Sequence, residues 1–345
     1  MSKMSKVYQQ QSIGIDVSKK DLHCRHGLMS VDREIEMKSS KIVDNTLSGF
    51  KQLHRWLKQL IKRYEDISLT IVLEATGVYH QGLVYFLAKQ GYKVCISFPK
   101  TAKHYARSLA KTKNDQIDAS ILARMGLERK LSVWEAPSEE LMILKSLIRE
   151  LTQLKRERTR IKNQQEAQSH TYLAHKDILK RMRKRVEFLD KQIEQIKKQI
   201  LKQAEASQQI KEALGRIEKV KGLGKLTILT IIAETNGFAL FSSIKQLCSY
   251  AGLDVVENQS GKKQGRTRIS KVGNTQIRSA LYMPAVSSIR ANPTLRSFYL
   301  RLLEKGKEKK QALIAVARKL LVIIYSLWKS GQEYQENFSR NMSTT

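Results

Sequence analysis

Two acidic side chains stand where apolar segments end in the first quarter of the chain. Asp16 interrupts the alternating apolar segment 12–17 and shares a face of the predicted strand with Gly14, because successive strand side chains point to opposite faces. Gly14 leaves room there for another backbone or a ligand to come close. Glu74 ends the apolar segment 67–73, and strand ends of this kind line the ligand crevice of open α/β sheets. A solvated acid at a strand end is the alternative interpretation of each residue.

Two further acids lie at the start of a predicted helix that extends to Met125. Asn114 is predicted as its N-cap, and Asp115 and Asp118 are three residues apart on one face. The helix dipole favours acids in the first turn, which explains Asp115 better than Asp118. Ion pairs with neighbouring lysines on a solvated surface are the alternative interpretation of this pair.

Four carboxylates from two strands and one helix match the preference of hard divalent cations. Mg²⁺ takes carboxylates, water and substrate phosphate oxygens. Two such ions about 3.5–4 Å apart activate a nucleophile and stabilise a leaving oxygen in phosphodiester chemistry. The order Asp16, Glu74, Asp115 and Asp118 therefore predicts a Mg²⁺ site, with Mn²⁺ as the alternative ion, and points to cleavage or strand transfer of nucleic acid.

The charge of the chain indicates a polyanionic partner. Its 345 residues, enough for two or three domains, include 63 Lys and Arg against 32 Asp and Glu, a formal net charge of +31. Nucleic acid is the first candidate, and a basic membrane-surface protein is the competitor. No segment approaches the ~18 apolar residues of a membrane-spanning helix, and residues 1–11 lack the apolar core of a signal peptide. We therefore expect a cytoplasmic protein, whose three distant cysteines are reduced thiols.

Strands and helices alternate in the first third of the chain, which favours a mixed α/β layer fold. The predicted strands, besides the two that carry acids, are 21–27, 32–38 and 93–98, and the predicted helices are 46–63 and 78–90.

The middle of the chain reads as a long basic helical hairpin. From Ser138 to Leu214 there is neither proline nor glycine, and apolar residues recur at heptad spacing on both sides of a predicted turn at 166–175. This pattern predicts a coiled coil, within one chain or between subunits. Its other faces carry many Lys and Arg, which form either a solvated surface or a surface that tracks RNA or DNA.

A glycine-rich turn follows the hairpin. Lys221, Gly222, Gly224 and Lys225 resemble the turn of helix-hairpin-helix modules, in which the next helix directs its N–H groups towards a phosphate. A plain turn between two helices is the alternative interpretation.

Ser260 lies in a loop rich in Gly, Ser, Asn and Lys, and its spacing alone is typical of a turn serine. Its surroundings are basic, however, and a serine ester of a DNA phosphate needs such a setting to stabilise the transition state. The neighbouring cations are Lys262, Lys263, Arg266, Arg268 and Lys271.

Motifs along nearly the whole chain resemble those of the DEDD insertion-sequence transposases, the insertion-sequence-110 family. In the N-terminal third they are IGIDVSK at 13–19, LEATGVY at 73–79 and KNDQIDA at 113–119. In the C-terminal third they are AGL at 251–253, QSG at 259–261, ISKVGN at 269–274 and RSALYMPA at 278–285.

This resemblance implies three domains: a ribonuclease-H-like, RuvC-like domain at 1–135, a basic coiled-coil hairpin at 136–215 and a mostly helical transposase domain at 216–345. It implies that the four acids bind Mg²⁺ and that Ser260 is the nucleophile that bonds to DNA. Asp254 and Val255 depart from the usual family pattern, and Ser270 is therefore the second candidate nucleophile.

The resemblance also implies double-stranded donor and target DNA, a structured guide (bridge) RNA that pairs with both, and a homodimer or homotetramer. Two other functions stay open. One is a metal-dependent nuclease of the Holliday-junction type with water as nucleophile and Ser260 structural. The other is a non-enzymatic nucleic-acid-binding protein in which the acids are helix caps and ion pairs.

Overall fold

The computed structural model describes residues 7–75, 77–97, 102, 105, 115–239, 241–256, 259–260, 263–264 and 268–335, with the backbone alone at 115–117, 256, 259–260 and 263–264. Internal contacts divide the chain into two compact units, 1–136 and 137–345.

The first unit is built on a five-stranded mixed sheet with strand order β3-β2-β1-β4-β5. Strands β1 to β3 are antiparallel, while β4 runs parallel to β1 and to β5. The strands are Tyr8–Val17 (β1), Asp21–Ser30 (β2), Ile35–Asp44 (β3), Leu69–Glu74 (β4) and Lys93–Ser97 (β5). The helices described are Leu47–Arg63 (α1), Gln81–Lys89 (α2) and Asp115–Glu128 (α3).

Side-chain alternation separates the two faces of this sheet. Ile13, Ile15 and Ile71 are fully buried in a core to which α1 contributes Leu53 and Leu57. Their burial on one face removes apolar area from water and fixes the strand register, since a slip of one residue would expose them. Gly14 and Asp16, which alternate with Ile13 and Ile15 along β1, point to the opposite face.

The second unit is helical apart from four two-residue strands among the described residues. Its helices are Glu139–Ser169 (α4), Lys176–Ala206 (α5), Gln208–Ile217 (α6), Lys225–Glu234 (α7), Ile244–Ala251 (α8), Thr275–Ala291 (α9), Pro293–Glu304 (α10) and Lys309–Ser330 (α11). Val255–Val256 (β6) pairs with Arg268–Ile269 (β9), and Gln259–Ser260 (β7) pairs with Lys263–Gln264 (β8), both antiparallel.

Helices α4 and α5 form a hairpin whose apolar seam closes within one chain. Near its base, Ile148 and Ile196 belong to the same core as α7, α9 and α11. Near its tip, Ile161, Val186 and Leu189 form a separate small cluster. The hairpin base therefore packs with the C-terminal helices in one unit, and its separation as a domain at 136–215 stays a prediction.

Helix α11 is long and apolar enough to cross a membrane by length and composition. The expectation that no segment approaches this limit is therefore wrong. Its Val316, Leu320 and Ile324 are fully buried in the core of the second unit, and a helix that packs on several neighbours is apolar on more than one face. A buried core helix of this kind has the length and apolar composition that a membrane-spanning helix also has.

The predicted fold class is confirmed. The first unit is a mixed sheet with helices, and the second is mostly helical and includes the long hairpin. The assignment of the first unit as a ribonuclease-H-like, RuvC-like domain stays a prediction.

Candidate active site

Asp16 and Glu74 lie at the ends of two adjacent parallel strands. Ile15 of β1 is the partner of Leu73 of β4, so that Asp16 and Glu74 follow the last paired residues on the two strands. Neighbouring strands are about 4.8 Å apart. Both side chains are half-buried. The strand register therefore brings together the two acids that the sequence places 58 positions apart.

Helix α3 covers the face to which these acids belong. A Cβ added to Gly126 of α3 would overlap Ser12 Oγ of β1 and lie 2.7 Å from Val72 Cγ2 of β4. Ser12 and Val72 therefore point towards α3. Because strand side chains alternate with a period of two, Asp16 and Glu74 point to the same side.

The backbone of α3 touches β1 at Gly14. A Cβ on Gly14 would lie 2.0 Å from the carbonyl oxygen of Ala119 and 2.3 Å from the amide nitrogen of Ala123. The prediction that another backbone approaches at this glycine is therefore confirmed. Because Gly126 lies over Ser12 and 119–123 lie over Gly14, the helix runs antiparallel to β1, and its N-terminal end is directed towards Asp16.

That N-terminal end carries the other two acids. Helix α3 begins at Asp115, and Asp118 is half-buried one residue before the contact at Ala119. The side chain of Asp115 lies outside the described residues. Among the side chains that the structure describes, no group of three acidic, His or Cys residues is close enough to hold a metal ion. Convergence of all four carboxylates therefore stays a prediction.

Two polar neighbours of the acids were missed from the sequence. His23 of β2 is the register partner of Asp16, and Ser97 of β5 is the partner of Glu74. Ser97 is buried, with Oγ 3.8 Å from the Met125 sulfur of α3. The only available signal was strand pairing, which the spacing of residues does not reveal.

The glycine-rich turn between α6 and α7 is tight and packs against α9. Gly222 has φ of +95° and no space for a Cβ beside Ser288, whose hydroxyl donates to the Lys221 carbonyl at 3.2 Å. Gly224 is the N-cap of α7 and supplies no side-chain cap, while Lys225 Nζ lies 3.3 Å from Glu218. Phosphate binding at this turn stays a prediction.

Ser260 lies in a ribbon, defined as the β6–β9 strand pair together with the β7–β8 hairpin that lies between these strands in the chain. Its backbone pairs with that of Lys263 in the β7–β8 hairpin. The side chains of Ser260 and Lys263 are not described, and Lys262 and Arg266 lie outside the described residues. The role of Ser260 therefore stays a prediction. Of the other cations predicted around it, Arg268 and Lys271 are exposed.

Ser270, the second candidate nucleophile, is bonded within its own loop. Its hydroxyl hydrogen-bonds the carboxylate of Asp254, and its N–H donates to the Asp254 carbonyl at 3.0 Å. The N–H of Lys271, which has φ of +52°, donates to the Gly252 carbonyl at 3.2 Å. These bonds close the loop, a role for which a serine hydroxyl is well suited.

A buried carboxylate in the second unit was also missed from the sequence. The side chain of Glu234, at the end of α7, has no exposed surface, and Arg149 of α4 binds it through two bonds, Nε to Oε1 at 3.0 Å and Nη2 to Oε2 at 3.2 Å. Lys145 Nζ lies 3.9 Å away. Burial alone would raise the pKa of Glu234, but hydrogen bonds from Arg149 and Asn274, with the two nearby cations, lower it overall. Glu234 is therefore a paired anion in the core.

Two family models match separate parts of this chain. Residues 214–300 match the family model described as "Transposase IS116/IS110/IS902 family", and residues 13–172 match a DEDD IS110 model described as "Transposase". The chain is 30% identical over 295 residues to the "Pilin gene-inverting protein" of Moraxella bovis, which covers 85% of this chain and 89% of that protein.

Two further similarities are more limited. The "Transposase for insertion sequence element IS1111A" of Coxiella burnetii is 30% identical over 35% of this chain and 34% of its own length. The RuvC structure of Thermus thermophilus aligns with 33% of this chain and 91% of its own at 12% identity, with a TM-score of 0.26, which carries no argument. The two family models and the Moraxella relative together show that this chain belongs to the IS116/IS110/IS902 family of transposases, enzymes that recombine DNA.

Proposed function

We propose that this transposase cuts and rejoins DNA through a covalent bond between Ser260 and a DNA phosphate, assisted by Mg²⁺ held by Asp16, Glu74, Asp115 and Asp118. The observation that carries the metal site is the contact of α3 with β1 at Gly14, beside two acids on adjacent strands. Mn²⁺ is the alternative ion.

The donor set fits a hard divalent cation. All four side chains carry carboxylate oxygens, and half-buried carboxylates on neighbouring strands repel each other unless a cation lies between them. When bound, Mg²⁺ would polarise a phosphate oxygen and stabilise the charge on the departing oxygen. Gly14 allows the backbone of α3 to approach β1, which directs the N-terminal end of the helix towards Asp16, and Asp118 at that end would join the site when the cation is bound.

The covalent step exchanges one phosphate ester for another. The Ser260 hydroxyl oxygen bonds to phosphorus, and the bond between that phosphorus and a sugar oxygen of the cut strand breaks. A proton passes overall from the serine hydroxyl to the released sugar oxygen. The neighbouring Lys262, Lys263 and Arg266 would stabilise the negative charge of the transition state. Attack of another strand's hydroxyl on the serine ester rejoins DNA and frees Ser260.

The proposed partners follow from the charge and from the family. A net charge of +31 supports binding of double-stranded donor and target DNA. The exposed cations of α5, among them Arg181, Lys184 and Arg185, provide a surface for a structured guide RNA. We propose that the enzyme acts as a homodimer or homotetramer in the cytoplasm.

Serine substitutions test the nucleophile. Supercoiled plasmids that carry the ends of the mobile element are incubated with protein and Mg²⁺, with and without RNA from the noncoding flanks, and the covalent adduct is trapped in detergent. We expect Ser260→Ala to abolish the adduct. Ser270→Ala is the matched control and should retain it, since Ser270 is bonded to Asp254 within its loop. A Ser260→Ala protein that still recombines DNA would contradict the assignment of Ser260 as the nucleophile and would favour water in that role.

Substitution of an acid tests the metal site. Asp16→Asn keeps the side-chain volume and removes the charge, and we expect strand cleavage to fall at least about 100-fold, equivalent to about 2.7 kcal/mol, while DNA binding persists. Normal strand cleavage by the Asp16→Asn protein would indicate that the catalytic metal site lies elsewhere. Recombination by purified protein without RNA would count against the guide.

A further inference from the structure

Asn274 uses both ends of its side-chain amide. Its Oδ1 caps helix α9, accepting from the N–H groups of Gln276 at 2.9 Å and Ile277 at 3.2 Å. Its Nδ2 donates to the buried Glu234 Oε2 at 2.8 Å and lies 3.4 Å from the Tyr250 hydroxyl. Aspartate or serine would cap the helix as well, but only asparagine also supplies the donor to Glu234.

The loop before Asn274 is fixed against α8. The Asn274 N–H donates to the Tyr250 carbonyl at 2.7 Å, and Gly273, with φ of +142°, has no space for a Cβ beside the same oxygen. The Tyr250 hydroxyl donates to the Glu234 carbonyl at 3.2 Å. Helix α7, helix α8 and the start of α9 therefore meet at one buried residue, Glu234, which is bonded through its backbone carbonyl to Tyr250 and through its carboxylate to Asn274.

The same carboxylate joins this junction to the helical hairpin. Arg149 of α4 forms a bidentate pair with Glu234, and Lys145 one turn earlier adds a second positive charge. The geometry of a bidentate pair fixes orientation as well as distance. Helix α4 is thereby held in a defined rotation relative to the loop that begins at Ser270.

That loop forms the base of the ribbon that carries Ser260. Strand β9 ends immediately before Ser270 and pairs with β6, and the β7–β8 hairpin lies between them in the chain. We infer that Glu234 and Asn274 are positioning residues, which fix the base of this ribbon against α4 so that Ser260 is presented to the DNA phosphate in one orientation. This inference rests on the proposed role of Ser260.

A reciprocal substitution tests the role of the pair. Asn274→Asp keeps the helix cap but sets two carboxylates against each other, and we expect single-turnover formation of the DNA adduct to slow at least about 10-fold with DNA affinity unchanged within about twofold. Adding Glu234→Gln removes the repulsion between the two carboxylates. It also puts an amide donor where the Glu234 oxygen accepts from Arg149 Nη2, so it should recover only part of the rate. If Glu234 and Asn274 contributed only to folding, the folded variant would form the adduct at the wild-type rate. A slower rate with unchanged DNA affinity therefore indicates positioning.

Asn292→Asp is the matched control. Asn292 is also a buried N-cap, accepting from the Leu295 N–H at 3.1 Å while its amide donates to the Tyr334 hydroxyl at 2.9 Å, and we expect this variant to form adduct at the wild-type rate. Circular dichroism establishes that each variant is folded. If Asn274→Asp does not fold, Tyr250→Phe decides, because it removes only the hydroxyl, and a rate about threefold lower is expected.

Two results separate this inference from the proposed function. Folded Asn274→Asp or Tyr250→Phe protein that forms adduct at the wild-type rate, while Ser260→Ala forms none, overturns the positioning role alone. An adduct that persists in Ser260→Ala overturns the proposed nucleophile, and the inference that rests on it.

Discussion

Replacing Gly14 with alanine perturbs the contact on which the proposed metal site depends. The new Cβ would lie 2.0 Å from the Ala119 carbonyl oxygen and 2.3 Å from the Ala123 nitrogen. Both are backbone atoms, so rotation of a side chain cannot relieve the overlap, and α3 must withdraw from β1 by about 1 Å or more. Overpacking of this kind costs about 1–3 kcal/mol of unfolding free energy. A displacement of about 1 Å between catalytic groups costs about 100-fold in rate.

The assay combines urea unfolding with strand cleavage of supercoiled plasmid at saturating Mg²⁺ and a temperature at which the variant is folded. Gly215→Ala is the control, since Gly215 lies in helix α6 with no atom within 4 Å of an added Cβ. Alanine there should stabilise the helix by up to about 1 kcal/mol and leave cleavage unchanged. A folded Gly14→Ala protein with wild-type cleavage would refute the claim that the approach of α3 to β1 places the acids.

Two further predictions follow from buried groups of the first unit. Neither ring nitrogen of the fully buried His26 has a hydrogen-bond partner among the described residues, and burial, with the charges of Arg63 and Lys38, lowers its pKa to about 4. The unfolded state binds a proton at His26 below about pH 6.5, whereas the folded state does not bind it until about pH 4. About 3 kcal/mol of unfolding free energy should therefore be lost as the pH falls from about 6.5 to about 4. Urea unfolding at a series of pH values should show a smaller loss for His26→Phe. The thiol of Cys24 is buried, which raises its pKa to about 12, and it should therefore resist iodoacetamide at pH 8 until urea is added; rapid labelling of the native protein, read by mass spectrometry, would contradict its burial.

Periodicity was sufficient to predict most elements of this chain. The alternation of apolar residues placed β1, and the heptad spacing placed both arms of the hairpin. The predicted helix at 46–63 is observed at Leu47–Arg63, where the Thr46 hydroxyl accepts from the Gly49 N–H at 3.3 Å. The glycine beside Asp16 was interpreted correctly, because a missing Cβ in a strand has few causes other than close approach.

The periodicity of the sequence does not reveal which elements pair in the folded chain. The adjacency of His23 to Asp16 and of Ser97 to Glu74 depends on strand order, which local spacing does not encode. Glu234 ends an apolar helix, and this was the one available signal that a carboxylate is buried there. Its partner Arg149 lies 85 positions away among many arginines, so the ion pair could not be selected from the sequence.

The central claim is that four carboxylates of the first unit surround a divalent cation. Anomalous diffraction from crystals of the full-length protein grown with Mn²⁺ tests it most directly. We predict a manganese peak within coordination distance of the carboxylate oxygens of Asp16, Glu74, Asp115 and Asp118. A peak bound by other residues, or these four carboxylates apart with no peak between them, would contradict the account.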